Sequence, residues 1–307
     1  MVEHGEKFWE DGQLRDWATA GTVSLLTHTL HYGLGAFEGI RAYRRRSGDT
    51  VVFRLHEHVA RLFDSCRLAL IQPKVSPAQV EAGCCEVLRA NGMAEGYIRP
   101  LVILGAGSMG LLPKDNPPRT YVMAWTWGAY LGVDGLEKGI RCKVSSFARH
   151  AVNAGLPRGK IIGPYVNSTL AKLEATLAGY DEALLLDANG YVSEGSGENL
   201  FVVKDGRIST PPLSSSILAG ITRATVMTLA REEGIVVVEE QITRDAVFLA
   251  DEVFLTGTAA EITPVREVDN RAIGEGRAGP VTKTLQRRFF DIVRGADDSH
   301  PEWLTRV

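Results

Sequence analysis

Three short apolar runs, DEALLLD, YVSEG and NLFVVK, follow one another between Asp181 and Lys204, with the turn dipeptides Asn189-Gly190 after the first and Asp205-Gly206 after the last. Runs this short, broken at residues that tolerate tight turns, read as strands joined directly to one another. GIRCKVSSF and VNSTLAKLEATLAG precede them as strand and helix. After Gly220 come a helix, ITRATVMTLAREEG, a strand, GIVVVEE, a short helix, TRDAVFLA, strands EVFLTG and TPVREV, and a C-terminal helix from about Gly279 to Val293. A doubly wound sheet needs regular β-α-β alternation, which this order lacks, so the expected class is α+β.

The first half starts with KFWEDGQL, a hairpin signalled by Asp-Gly, and with FEGIRAY and TVVFRL around a Ser-Gly-Asp turn. These predict a small antiparallel sheet. Helical spacing from His56, and again through SPAQVEAGCCEVLRANG, predicts two helices over one of its faces. Strands YIRPLVIL and TYVMAW follow, then the glycine- and aromatic-rich WGAYLGVDG. A chain of 307 residues, 45% hydrophobic and 23% charged, is large enough for two cores. We therefore expect a small domain over 1–127, a linker over 128–135 and a larger domain over 136–307.

The formal net charge is -3, spread over intermixed acids and bases. The one short basic run, Arg44-Arg45-Arg46, reads as a solvated hairpin tip, so nucleic acid and anionic membrane are poor partners. MVEHGEKFWEDG is acidic without an apolar core, and no window approaches the ~18 apolar residues of a membrane span. A cytoplasmic protein is expected. Cys66, Cys84, Cys85 and Cys142 form no C-x-x-C pair and read as reduced, buried small hydrophobes.

Lys160, in KIIGPYVNS, and Glu194, in YVSEGSGENLF, are charges set among glycines with little packing reason to be there. A lysine amine beside Gly163 and Tyr165 can form a Schiff base once desolvation or a nearby positive charge lowers its basicity. A carboxylate in a glycine-rich turn can keep a proton on a ring nitrogen. Pyridoxal phosphate needs both groups, because it acts as an electron sink only while its pyridine nitrogen is protonated. Two ordinary surface charges are the competing reading. Phosphate cradles are offered by Gly220-Ile221-Thr222 at a helix start and by Gly257-Thr258-Ala259-Ala260 after EVFLT. Arg61 either adds a fixed charge to such a cradle or makes a surface salt bridge. Tyr97 and Arg99 face one side of a strand, as a pocket wall or an ordinary cross-strand pair. Gly105, Gly107 and Gly110 match a dinucleotide fingerprint in letters only, since LLPKDNPPR follows in place of a helix. His28, His31, His56 and His58 lack metal-site spacing and are assigned structural or polar roles; no metal is expected.

Taken in order, HYGLGAFEGIRAY, RLHEHVARL, YIRPL, WGAYLG, the Lys160 segment, YVSEGSGENLF, PPLSSSILAGITR, LADEVFLTGTAAEITPV and GPVT resemble the branched-chain amino acid aminotransferases of the class IV pyridoxal phosphate group. The resemblance runs from about Trp9 to Arg294. It implies fold type IV, a small N-terminal α/β domain and a larger C-terminal domain with a β-barrel-like core. It also implies that Lys160 holds pyridoxal 5′-phosphate and later moves a proton between the substrate α-carbon and C4′ of the cofactor. Glu194 holds the ring-nitrogen proton, and Tyr165 bonds the ring oxygen O3′. Arg61, Ile221, Thr222 and Thr258 take the phosphate, beside Leu218, Gly220 and Gly257, while Gly197, Glu198 and Asn199 support the Glu194 turn.

By the same resemblance, the substrate α-carboxylate meets the amides of Thr258 and Ala259 together with Tyr97 and Arg99. Phe37, Tyr130, Tyr165 and Ala260 pack the side chain, and Gly39 leaves room. Tyr32 and the loop around Met109 come from a partner subunit, so a homodimer is the smallest active unit and a trimer of dimers the larger assembly. The implied reaction exchanges the amino group between L-leucine, L-isoleucine or L-valine and 2-oxoglutarate, with Arg99 and Tyr32 as the polar corner for the second carboxylate. D-amino acid or R-amine transaminases and aminodeoxychorismate lyases share the fold, and a noncatalytic binding protein is the rival from another class. The Tyr97-Ile98-Arg99 strand and GTAAEITPV favour the branched-chain type. Ile161, Ile162, Gly163 and Pro164 depart from many relatives, which have a small residue, Gly and Asn before the tyrosine.

Overall fold

The computed structural model describes residues 4–128 and 131–307. Tyr130, expected among the substrate-packing aromatics, lies outside them. Mutual contacts divide the chain into one unit of Met1–Gly128, Gly159–Pro164 and Ile292–Val307 and another of Ala129–Arg158 and Tyr165–Asp291. The sequence suggested a single cut at 128–135. The grouping by contacts also returns two later stretches to the first unit, one of them carrying Lys160.

The first unit is built on an antiparallel sheet. Strands β1 (Lys7–Glu10) and β2 (Gln13–Asp16) turn at Asp11 and Gly12, with φ of 45° and 98°. Positive φ at both positions is the primed two-residue turn that Asp-Gly favours. Next come β3 (Gly35–Phe37), β4 (Ile40–Arg44), β5 (Thr50–Phe53), β6 (Gly96–Leu104) and β7 (Pro118–Trp125). The order across the sheet is the C-terminal strand Leu304–Arg306, then β5, β4, β6, β7, β1, β2, with β3 also paired to β6. The helices Leu55–Leu68 and Pro77–Ala90 contribute Val59, Leu62, Cys66, Val80, Cys84 and Leu88 to the core formed with Ile40, Val52, Ile98 and Val122. Ser76 starts the second helix with a capping box: its Oγ accepts from Gln79 N at 3.3 Å, and Gln79 Oε1 accepts from Ser76 N at 2.9 Å. Such a cap contributes about 1 kcal/mol.

Residues 160–163 zip onto the segment that carries β3. Phe37 N donates to Lys160 O at 3.1 Å, Ile162 N to Gly35 O at 2.9 Å and Gly163 N to Gly33 O at 2.9 Å, while Ile161 bridges Ala36. Ile161 is buried there. The unusual isoleucines thus anchor the stretch that holds Lys160.

The second unit is a mixed sheet with helices. Its strands are β8 (Ile140–Val144), β9 (Glu182–Leu186), β10 (Val192–Gly195), β11 (Asn199–Lys204), β12 (Arg207–Thr210), β13 (Val237–Glu239), β14 (Glu252–Gly257), β15 (Glu261–Val268) and β16 (Arg271–Ala272). They run in the order β10, β9, β8, β15, β14, β11, β12, β13, with β16 on β15. Only β8/β9, β8/β15 and β12/β13 pair in parallel among the described residues. The sheet is the counterpart of the barrel-like core expected for the larger domain, and the α+β class holds. Leu184, Val192, Leu200, Val253, Leu255 and Val265 form its interior. Helices Tyr165–Leu177, Ile221–Glu232 and Pro280–Arg294 fall where the periodicity puts them. Strand β12 was missed, because RIST alternates weakly.

The four cysteines are free and buried, and burial pushes the Cys66 thiol up to about 12. Among the described residues no helix is long and apolar enough to cross a membrane.

Candidate active site

Lys160 is held by its backbone on both sides. Its N–H donates to Ser65 Oγ at 2.9 Å, its carbonyl accepts from Phe37 N, and Ser65 Oγ in turn donates to Arg61 O at 2.8 Å. The side chain extends from this fixed base, with Nζ 5.1 Å from the centre of the Phe37 ring. Arg61 and His58, three residues apart on one helix face, both reach Glu38 in the link from β3 to β4. Glu38 Oε1 accepts from Arg61 Nε at 2.7 Å, and Oε2 accepts from Arg61 Nη2 at 2.9 Å and His58 Nδ1 at 2.8 Å. Burial would raise the Glu38 carboxyl, but the Arg61 charge and the bonds from His58 and Arg61 outweigh it and hold the group far below the ordinary carboxylate range. Burial pulls His58 below its usual value despite the Glu38 bond. Arg61 is therefore an ion-paired residue, half-buried on a fully buried carboxylate.

Tyr97 and Arg99 do share one side of β6. Arg99 Nη2 donates to Tyr97 Oη at 3.2 Å, and its guanidinium lies 4.6 Å from the Phe37 ring centre and 5.5 Å from that of Trp125. Arg99 Nε is buried without a hydrogen-bond partner in the protein. Tyr97 is packed by Trp125 at 5.2 Å and by Trp127, edge-on, at 4.8 Å. Gly39 is glycine because a Cβ there would collide with the Tyr97 phenol. We expect Gly39→Ala to displace that phenol at about 1–3 kcal/mol of overpacking and to raise KM for the amino acid. Steady-state kinetics beside a melting curve checks this; an unchanged KM in a folded variant would remove Tyr97 from substrate binding.

Tyr32 and Met109 are 41% and 45% exposed, amid exposed Leu25, Leu26, Leu30, Leu111 and Leu112. Tyr32 lies tilted against His28, ring centres 4.7 Å apart, and His28 Nε2 bonds Gly110 O at 2.8 Å, so part of the glycine loop is tied to this short helix, His28–Tyr32.

In the second unit Glu194 is buried on β10 and surrounded by donors. Arg149 Nη2 reaches Oε1; Asn199 Nδ2 and Leu218 N both donate to Oε2 at 3.1 Å. Asn199 Nδ2 also donates to Leu218 O at 2.9 Å, which ties the Glu194 turn to the loop ahead of Gly220. Glu198 lies under the same turn and accepts from Gly197 N at 3.1 Å. Burial, with the Glu182 charge behind it, pushes Glu198 up to about 8. Gly257 opens the turn Thr258-Ala259-Ala260 between β14 and β15, close against Gly197 O. Tyr165 starts its helix half-buried, and Ala260 is buried.

Pyridoxal phosphate requires an amine, an anion for the ring nitrogen and an anion-binding cradle. Helix Ile221–Glu232 begins at Gly220 with no side chain capping it, which leaves the Ile221 and Thr222 amides suited to a phosphate. Lys160 in the first unit offers the amine, and Glu194 and the Gly220 helix start in the second offer the anion and the cradle, the donor types the group needs. Sequence reasoning missed Glu38, Ser65 and Arg149. For Glu38 a signal existed: an acid between Phe37 and Gly39 at the end of an apolar run. For Arg149, in SSFARHAVNAG, none did.

A family model described as amino-transferase class IV matches residues 35–268. The chain is 49% identical to a branched-chain-amino-acid aminotransferase of Pseudomonas aeruginosa, over 100% of this chain and 99% of that one. It is 46% identical to the protein of the same name from Escherichia coli K12, again over 100% and 99%. The crystal structure of the Escherichia coli enzyme superposes with a TM-score of 0.95 at 44% identity, covering 99% of both chains. That of the branched-chain amino acid aminotransferase from Thermobaculum terrenum, in its PLP-bound holo-form, superposes with a TM-score of 0.93 at 33% identity, also over 99% of both.

Proposed function

The chain belongs to the class IV aminotransferases, and from that premise we propose that it exchanges the amino group between L-leucine, L-isoleucine or L-valine and 2-oxoglutarate. The products are the branched-chain 2-oxo acids and L-glutamate. Bound pyridoxal 5′-phosphate supplies a carbonyl carbon and a pyridinium electron sink. Lys160 would supply the amine that attaches it, and its Nζ would carry a proton between the substrate α-carbon and C4′. Glu194 would keep the ring nitrogen protonated. Tyr165 would donate to O3′. Arg61, the amides of Ile221 and Thr222, and Thr258 would hold the phosphate. Thr258 and Ala259 amides, with Tyr97 and Arg99, orient the substrate carboxylate, and Phe37 and Ala260 pack its side chain.

The observation that carries the substrate reading is the β6 wall. Phe37, Tyr97 and Trp125 present aromatic surface around one guanidinium with a buried, unpartnered N–H. Such a wall suits both an apolar side chain and the second carboxylate of glutamate. The exposed Tyr32 and Met109 suit a role in a partner's site, which makes a homodimer the smallest active form, with a trimer of dimers above it. Four buried, unpaired thiols suit a cytoplasmic location.

A panel of L- and D-amino acids with 2-oxoglutarate tests this. L-leucine, L-isoleucine and L-valine should be turned over fastest. Turnover of D-alanine with none of L-leucine would replace the reading by a D-amino acid transaminase, and a protein that takes up no cofactor would leave a noncatalytic one.

A further inference from the structure

The proposed chemistry uses Arg61 and leaves Glu38 without a task, yet Glu38 is a fully enclosed carboxylate. An ion buried that deeply is costly unless it is paired and hydrogen-bonded, and a hydrophobic side chain would fill the place more simply. Its backbone is fixed by the bond from Glu38 N to Pro100 O at 2.9 Å. Its two oxygens take Arg61 Nε and Nη2 side by side, and Oε2 also accepts from Gly39 N at 3.2 Å. A fork grip of this kind fixes the plane of a guanidinium as well as its position. An ionised carboxylate only accepts, so His58 Nδ1 carries the proton of that bond. The imidazole sits 1% exposed, where burial disfavours its cation, and it fixes Glu38 through that bond.

We infer that Glu38 is a positioning residue for phosphate recognition, holding the Arg61 guanidinium in one orientation toward the dianion, with His58 fixing the carboxylate in turn. The inference rests on the assignment of Arg61 to the cofactor phosphate. An arginine fixed in advance loses little rotamer freedom when the anion arrives. Ser65 extends the arrangement, because the same hydroxyl bonds the Arg61 carbonyl and the Lys160 amide.

The test compares pyridoxal phosphate with pyridoxal, which lacks the phosphate. Cofactor-free wild type, Glu38→Gln, Arg61→Ala and the double variant are titrated with each and followed by near-visible absorbance, with inorganic phosphate as a competitor. Glu38→Gln should weaken pyridoxal phosphate by about tenfold or more and weaken inorganic phosphate in parallel, with pyridoxal changed by less than about twofold. In the Arg61→Ala background the same change should add nothing. Equal weakening of both ligands, or of neither, overturns the inference. If Arg61→Ala itself leaves the preference for pyridoxal phosphate intact, the assignment of Arg61 fails and takes the inference with it. If Arg61→Ala abolishes the preference and Glu38→Gln does not, the inference alone fails. Should Glu38→Gln not fold, Glu38→Asp keeps the charge while withdrawing it from Arg61, and is read by the same outcomes.

Discussion

Replacement of Lys160 by alanine is expected to give a protein without the yellow cofactor chromophore and with turnover lowered by about 10⁴-fold or more. Its folding stability should stay within about 1 kcal/mol of the parent. The separation of the two effects follows from how the residue is held. The bonds that fix it, from Phe37 N to its carbonyl and from its N–H to Ser65 Oγ, are made by the backbone and survive loss of the side chain. The neighbouring Ile161 and Gly163 keep the segment zipped to Gly33–Ala36. What is lost is an amine that is nucleophile and proton carrier in one. Absorbance before and after borohydride, a melting curve and single-turnover kinetics read these quantities separately. A variant that stays yellow, or that turns over within about tenfold of the parent, would assign the amine to another lysine. Added methylamine should recover part of the rate, since a small amine can occupy the space of the missing one.

The parts of this molecule that could be read from sequence are those specified locally. Asp11-Gly12 dictates its turn through positive φ, Ser76 and Gln79 write out a capping box, and the spacing of Val59, Leu62 and Cys66 declares a buried helix face. Lys160 and Glu194 stood out because charges among glycines lack a packing role. The misses share a physical cause. Strand β3, the 160–163 segment zipped against its start and the C-terminal strand on β5 pair residues far apart in the chain, and no local pattern records a partner. Glu38 and Arg149 look like solvated charges until burial is known. His56 and His58 show the same limit: two residues apart, one is exposed on Glu81 and the other is sealed against Glu38. Spacing separates their faces and cannot say which face is inside.

Glu194→Gln is expected to lower turnover by about 10³-fold and to cost about 3 kcal/mol of stability, and both follow from counting donors. Arg149 Nη2, Asn199 Nδ2 and Leu218 N already point at the two oxygens, and the protonated ring nitrogen of the cofactor would be a fourth donor. A carboxylate accepts all of them. An amide offers one oxygen, so its NH2 must face either Arg149 or the Asn199 and Leu218 pair, donor against donor. Arg149, 14% exposed at its side chain, is also left without its counter-ion. With no anion to hold it, the ring proton would leave, and the cofactor's electron sink would weaken for every substrate. Glu198 cannot stand in, because it is turned onto Gly197 N, and burial with the Glu182 charge disfavours its anion. Glu194→Asp, which keeps the charge, should recover much of the stability and part of the rate. Thermal unfolding and kcat measured on the same preparations, with Lys160 still forming its chromophore in both variants, separate the ring-proton role from a folding role. If Glu194→Gln were as unstable as expected yet turned over within about tenfold of wild type, Glu194 would be a structural ion and the ring proton would be held elsewhere.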